Sequence, residues 1–181
     1  MAQKRKQVLE TIELPQGMSA SIEGMTIKIV KDGEELKRKL GYKAEIKDNK
    51  IIIKCEKPTK REKKLIKTDA AHIKNIIKGL QEKYIYTLQI CYVHFPMNVS
   101  VKDKELVIKN FLGEVKERKA SILEGVEVKV EKEKILLISS DKEKAGQTAA
   151  NIERATKIRN RDRRIFQDGI FITEKKKGAR R

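Results

Sequence analysis

The chain repeats itself, and this limits its fold more than any single motif does. Tyr42, Ala44 and Ile46 alternate, the polar stretch Lys47-Asp48-Asn49-Lys50 interrupts, and residues 51–55 resume an apolar run. Val126, Val128 and Val130 alternate likewise, Glu131-Lys132-Glu133-Lys134 interrupts, and residues 135–138 resume, an offset of 84 positions. A period of two sends successive side chains to opposite faces, so each passage predicts an antiparallel hairpin with a four-residue loop.

A helix follows each hairpin. Ile66, Ala70, Ile73, Ile77 and Leu80 recur at spacings of four, three, four and three, one stripe of an amphipathic helix. Pro58-Thr59 marks its start and Gly79 lies near its stop. Ala145, Ala149, Ile152 and Thr156 repeat the stripe at an offset of 79. Gly33-Glu34 and Gly113-Glu114, 80 positions apart, mark turns after strand-like runs at 26–30 and 106–108. The fold class that follows is α+β: two tandem duplicated modules, each a small, mainly antiparallel sheet covered by one helix. The first module spans residues 1–82; the second, with a basic C-terminal segment, spans 83–173; residues 174–181 form a basic tail. Residues 83–95 read as a longer strand that opens the second module.

Charge points to the partner. The formal net charge is +17, and residues 151–181 hold eleven Lys/Arg against four acids. Lys157, Arg159, Arg161, Arg163 and Arg164 put five cations into eight positions. Guanidinium groups grip phosphate oxygens with paired hydrogen bonds, which an ammonium cannot do. A charge run is often only a solvated end, and Lys175, Lys176, Lys177, Arg180 and Arg181 fit that description. Residues 157–172 differ, because Ile158, Ile165, Phe166, Ile170, Phe171 and Ile172 interleave with the cations. Asp168-Gly169 is a turn signal before the β-type run 170–172. The apolar residues are expected to pin the segment and hold its arginines in fixed geometry.

Other functions lack support in the sequence. Cys55 and Cys91 lie in separate apolar segments and read as reduced, buried thiols. Cys91 and His94 with Cys55 and His72 would make an odd zinc set, since the latter two are seventeen residues apart. Strand alternation would also turn Cys91 and His94 to opposite faces. No glycine-rich phosphate loop is present, and the carboxylates interleave with lysines as in a solvated turn. The reading is a non-enzyme with no metal, cofactor or small-molecule substrate. No apolar run approaches the ~20 residues of a membrane helix, and the N-terminus lacks the apolar core of a signal peptide. Neither a DNA-binding helix motif, a zinc finger nor an aromatic RNA-binding sheet motif appears. Folded, double-helical RNA, met through its backbone and 2′-hydroxyls, remains.

Three separated motifs carry a resemblance. Gly146-Gln147-Thr148-Ala149-Ala150-Asn151-Ile152-Glu153, with Ala155-Thr156, Arg161-Asp162, Arg164, Phe166-Gln167-Asp168-Gly169-Ile170 and Ile172, resembles the C-terminal signature of the ribosomal large-subunit protein six family. Tyr92, His94-Phe95-Pro96 and Asn98-Val99 resemble a second signature, of the archaeal and eukaryotic branch, and Asn110-Phe111-Leu112-Gly113-Glu114 a third. The resemblance covers residues 12–173. It implies a duplicated α+β domain and a structural constituent of the large ribosomal subunit. It further implies binding of large-subunit rRNA near the sarcin–ricin loop and stalk base, among neighbouring ribosomal proteins. The implied rRNA contacts are Lys157, Arg159, Arg161, Arg163, Arg164, Lys175, Lys176 and Lys177, with His94 and Phe95 secondary. The implied location is the cytoplasmic ribosome, with nucleolar assembly in a eukaryote. A free-standing RNA-binding regulator or chaperone is the alternative. Lys31-Asp32-Gly33 departs from the Gly-Pro-x-Gly-like turn of many members, so no contact is assigned in the first module.

Overall fold

The computed structural model describes residues 7–177 except 48, 57 and 163. The chain divides between Gln81 and Glu82 into two compact units.

The first unit runs β1 (Val8–Glu13), β2 (Met18–Glu23), β3 (Thr26–Lys31), β4 (Glu34–Lys39), β5 (Glu45–Lys47), β6 (Lys50–Cys55) and α1 (Lys60–Gln81). Its strands pair antiparallel in two sheets, ordered β1-β6-β5 and β2-β3-β4. Ile27, Ile29, Ile51 and Ile53 from the sheets meet Ile66, Ile73 and Ile77 of α1 in one core. Each such side chain contributes about 1.5–3 kcal/mol on burial. A capping box starts α1: Thr59 Oγ1 accepts from Glu62 N (3.3 Å) and Thr59 N donates to Glu62 Oε2 (2.6 Å). The helix runs two residues beyond Gly79, which is buried within it.

The second unit repeats this order. It runs β7 (Tyr84–Cys91), β8 (Asn98–Lys102), β9 (Glu105–Lys109), a 3-10 turn (Phe111–Gly113), β10 (Arg118–Ser121), β11 (Glu127–Glu131), β12 (Lys134–Ser139), α2 (Lys142–Ala155) and β13 (Gly169–Lys177). The sheets are β11-β12-β7-β13 and β10-β9-β8. Leu88, Leu106, Ile108, Ile135, Leu137, Ala149 and Ile152 form its core. Asp141 caps α2, its carboxylate accepting from Glu143 N and Lys144 N.

Several details depart from the sequence expectation. Glu131 pairs with Lys134 and Lys47 with Lys50. The polar breaks are therefore two-residue loops, because a ladder needs only backbone groups and accepts charged side chains on its open face. Lys132 (φ 47°) and Asn49 (φ 60°) take the left-handed conformation there, and Asp48 lies outside the described residues. The strand expected over 83–95 stops at Cys91, since Val93 N turns to Asp168 Oδ1 (2.9 Å) and Pro96 has no N–H to pair. His94 therefore stands on a loop, not opposite Cys91 on a strand. The run 170–172 extends, because pairing with β7 continues past a register shift between Ile172 and Glu174 to Lys177. The stretch from Glu174, read as the start of a tail, is thus strand through Lys177.

Candidate nucleic-acid interface

The cationic segment lies between α2 and β13, and both of its ends are fixed by buried polar groups. Thr156, 3% exposed, ends α2; its hydroxyl donates to Glu153 O (3.2 Å) and accepts from Ile170 N (2.9 Å). Asp168, 1% exposed, accepts from Val93 N and so fastens the start of β13 to the loop after β7. Ile170 is fully buried, and Ile158 and Ile172 pack on the same core. The pinning expected of all six apolar residues is narrower than the sequence suggests. Ile165 is 66% exposed and Phe171 37%, so these two project rather than anchor.

A third fixture was not visible in the sequence reading. Arg118, on β10, donates through Nη1 to Ala155 O (2.9 Å) and Lys157 O (3.4 Å), which are carbonyls at the end of α2. Its other donors grip Glu114 (2.8 and 2.7 Å), and its guanidinium lies 4.2 Å from the Phe111 ring centre. That hydrogen bond holds the Glu114 carboxyl below the usual range, with the charges of Arg118 and Arg161 adding to it. A signal did exist: Glu34 and Arg38 stand 80 positions before Glu114 and Arg118, at the offset of the repeat.

The expected contacts separate into groups. Lys157 and Arg159 are exposed, line one open groove of about 1370 Å³ with Arg154, Tyr92, Gln167 and Phe171, and have no ion-pair partner among the described residues. Arg161 stacks 4.9 Å from the Phe166 ring centre. Arg164 turns back onto Asp162 (3.0 Å), whose carboxyl it holds low through side-chain and backbone hydrogen bonds. Arg164 is therefore exposed but already partly neutralised. Arg163 lies outside the described residues. Lys175 and Lys176 are exposed on β13 and do not line the groove; from Gly169 to Lys175 is roughly 20 Å of strand. Lys176 pairs with Glu174 (2.7 Å), and Lys177 ends the same strand.

His94 and Phe95 are exposed on the loop after β7, outside the groove lining but joined to the third motif. Asn110 Nδ2 donates to Pro96 O (3.1 Å), and a Cβ at Gly113 would sit 3.4 Å from Phe95. Asn110, Leu112 and Gly113 all have positive φ, a tight path that presents Phe111 to Arg118. The three motifs that are far apart in sequence thus meet through Asn110–Pro96 and through Arg118, which bridges Glu114 of the third motif and Ala155 of the C-terminal one.

Other chemistry has no assembled site among the described residues. No three His, Cys, Asp or Glu side chains cluster as metal ligands. Cys55 and Cys91 are free thiols in different units. No described helix is long and apolar enough to cross a membrane.

Known proteins share this chain's sequence along most of its length. The family model described as Ribosomal protein L6 matches residues 95–169, which include the 92–97 loop from Phe95, the Arg118 clamp and the cationic segment. The large ribosomal subunit protein uL6 of Methanococcus vannielii is 42% identical over 171 residues, covering 93% of this chain and 94% of that protein. The uL6 of Methanothrix thermoacetophila is 42% identical over 174 residues, covering 94% and 99%. The chain belongs to the ribosomal protein L6 family, in its archaeal and eukaryotic branch, a family of structural, non-enzymatic ribosomal proteins.

Proposed function

We propose that this protein is a constituent of the large ribosomal subunit and binds the subunit's rRNA through its second unit. One observation carries the reading. Lys157 and Arg159 are exposed and unpaired among the described residues, yet spring from a segment fixed by buried Thr156, buried Asp168 and the Arg118 clamp. Cations on an ordered frame lose little conformational freedom on binding, so they fit a shaped phosphate surface. A frayed basic end would not have that advantage. The groove beside them is open, which suits a sugar–phosphate edge rather than an enclosed small molecule.

In this reading Lys157, Arg159, Arg161 and Arg163 meet phosphates, and Arg164 does so after releasing Asp162. Lys175, Lys176 and Lys177 extend the contact along β13, and His94 and Phe95 touch its margin. The position is near the sarcin–ricin loop and the stalk base, beside neighbouring ribosomal proteins in cytoplasmic ribosomes. If the cell is eukaryotic, assembly begins in the nucleolus. The relatives support this reading, since both are named as proteins of the large ribosomal subunit.

Two measurements test it. The protein should sediment in stoichiometric amount with the large subunit after a moderate-salt wash; a free regulator or chaperone would stay at the top of the gradient. Replacing Lys157, Arg159 and Arg161 together by Ala should flatten the salt dependence of rRNA binding by on the order of 0.7–0.9 in slope per lost phosphate contact. An unchanged slope removes those residues from the interface.

A further inference from the structure

The first unit carries a second cationic surface with a different design. Lys60, Lys64, Lys67, Lys74 and Lys78 are all exposed on α1. At 100° per residue they fall within an arc of about 80°, and they run roughly 27 Å along the axis. The one gap in the row is Ala71, small and exposed. The opposite side of the helix is the buried stripe of Ile66, Ile73 and Ile77.

These lysines stand without acids. The helix contains two carboxylates, and both are committed elsewhere. Glu62 closes the capping box with Thr59, and Asp69 is buried and accepts from Gly41 N (3.0 Å) and Tyr42 N (2.9 Å). Among the described residues none of the five forms an ion pair. Most sheet lysines of the same unit are partnered: Lys28 and Lys37 with Glu35, Lys47 with Glu45, Lys50 with Glu13, Lys54 with Glu56. Outside α1, Lys39 and Lys43 are the exposed lysines of this unit without an ion pair among the described residues, and only the helix lines five of them up in one row. The repeat shows that the fold does not require it. At the helix offset of 79, Lys64, Lys67, Lys74 and Lys78 correspond to Glu143, Gly146, Glu153 and Lys157, so the row is absent from α2.

We propose that the solvent face of α1 is a second RNA-binding surface, which lies along the phosphate backbone of a double-helical RNA segment independently of sequence. Like charges four residues apart repel each other on a helix, and a row of phosphates removes that repulsion. Lysine is a point charge on a flexible stem, suited to phosphate oxygens and not to reading bases. A membrane surface fits less well, because the apolar side of α1 faces the core and cannot enter lipid. The inference goes beyond the proposed function, which places its contacts in the second unit.

The test uses the full chain with all five lysines changed to Gln, a residue of similar helix propensity. Affinity for an RNA duplex of about 30 base pairs, chosen without reference to rRNA, is measured against salt. Loss of five phosphate contacts should make the log–log slope shallower by about 3.5–4.5. A change of about 2 or less overturns the proposal. Should the five-fold variant lose its helix signal by circular dichroism, Lys64→Gln with Lys74→Gln is measured instead. There a slope change of about 1.4–1.8 is expected, and no change overturns it. Five Lys→Arg changes must keep the slope. The Lys157, Arg159 and Arg161 variant runs in parallel: if it alone is without effect, the second-unit reading fails and this one stands, and the converse also holds. Tighter binding to vesicles with a third of phosphatidylserine than to the duplex, abolished by the five changes, would replace RNA by a membrane.

Discussion

Arg118→Ala separates holding the cationic segment in place from touching phosphate. The guanidinium donates a charged hydrogen bond to Ala155 O at 2.9 Å, and such bonds contribute about 1.5–3 kcal/mol. Its position 4.2 Å from the Phe111 ring adds on the order of 0.5–1 kcal/mol at a partly exposed site. The pair with Glu114 is two-pronged, but its side chains are 26% and 40% exposed, so screening limits it to about 0.2–1 kcal/mol. These terms overlap, and a loss of roughly 3 kcal/mol in unfolding free energy is expected, read from urea or guanidinium midpoints at constant m. RNA binding then distinguishes the roles. With the end of α2 released, Lys157 and Arg159 must be ordered on binding, which should weaken affinity about tenfold, or about 1.4 kcal/mol. The salt slope should stay that of the wild type, because no phosphate contact is removed. A slope shallower by about 0.7–0.9 would make Arg118 a phosphate ligand, and unchanged stability would show that the clamp does not hold.

Three further outcomes follow from the same frame. Thr156→Val keeps the shape but leaves Ile170 N without its acceptor in a buried place; a loss of about 1–3 kcal/mol is expected by chemical unfolding, and a change under ~0.5 would refute the anchor. Ile170→Ala empties a fully buried position of the second core and should cost about 2–5 kcal/mol in the same assay. Glu114 has a folded pKa below its ordinary value of 4.5, mainly through its hydrogen bond with Arg118. A lowered carboxylate pKa stabilises the fold above the ordinary value, and this is lost as pH falls through the folded one. Glu114→Gln should therefore flatten the dependence of unfolding midpoint on pH below about 4.5 while leaving its slope near neutrality alone.

The fold was legible where side chains obey a period. Ile66, Ala70, Ile73, Ile77 and Leu80 all turned inward, and the second stripe through Ala145, Ala149 and Ile152 did as well. Strand β2 was not legible, because Met18-Ser19-Ala20-Ser21-Ile22-Glu23 offers too little apolar contrast; its place is fixed by pairing with β3. Charged strand ends were missed for a related reason. Glu174, Lys175 and Lys176 look like solvent-borne tail residues, yet their backbones complete the edge of β7. In the candidate site the cations were visible as types and spacing. Which of them were already engaged was not, since Arg164 on Asp162 and Arg161 on Phe166 depend on a local turn around Asp162, whose carbonyl accepts from Phe166 N (2.9 Å). Arg118 was hidden among charged neighbours because its partners, Ala155 and Lys157, lie 37 and 39 residues away.

The two units show how one frame diverges without changing its core. β1 and β7 occupy corresponding places, each paired with the second strand of the hairpin that precedes the helix. The other edge of β7 is taken by β13, whereas β1 stands at the end of its sheet among the described residues. Adding β13 required the chain to travel from the end of α2 back to the sheet, and the cationic segment is that passage. Its charges could accumulate there because the passage packs through Ile158, Thr156 and Asp168 and leaves Lys157 and Arg159 exposed. In the first unit the aligned row of unpaired lysines stands on the solvent face of α1, the one long helix among its described residues. Both arrangements follow one physical constraint: a thin α+β core has no room for charge, so clusters of cations must grow on surfaces that the core already holds rigid.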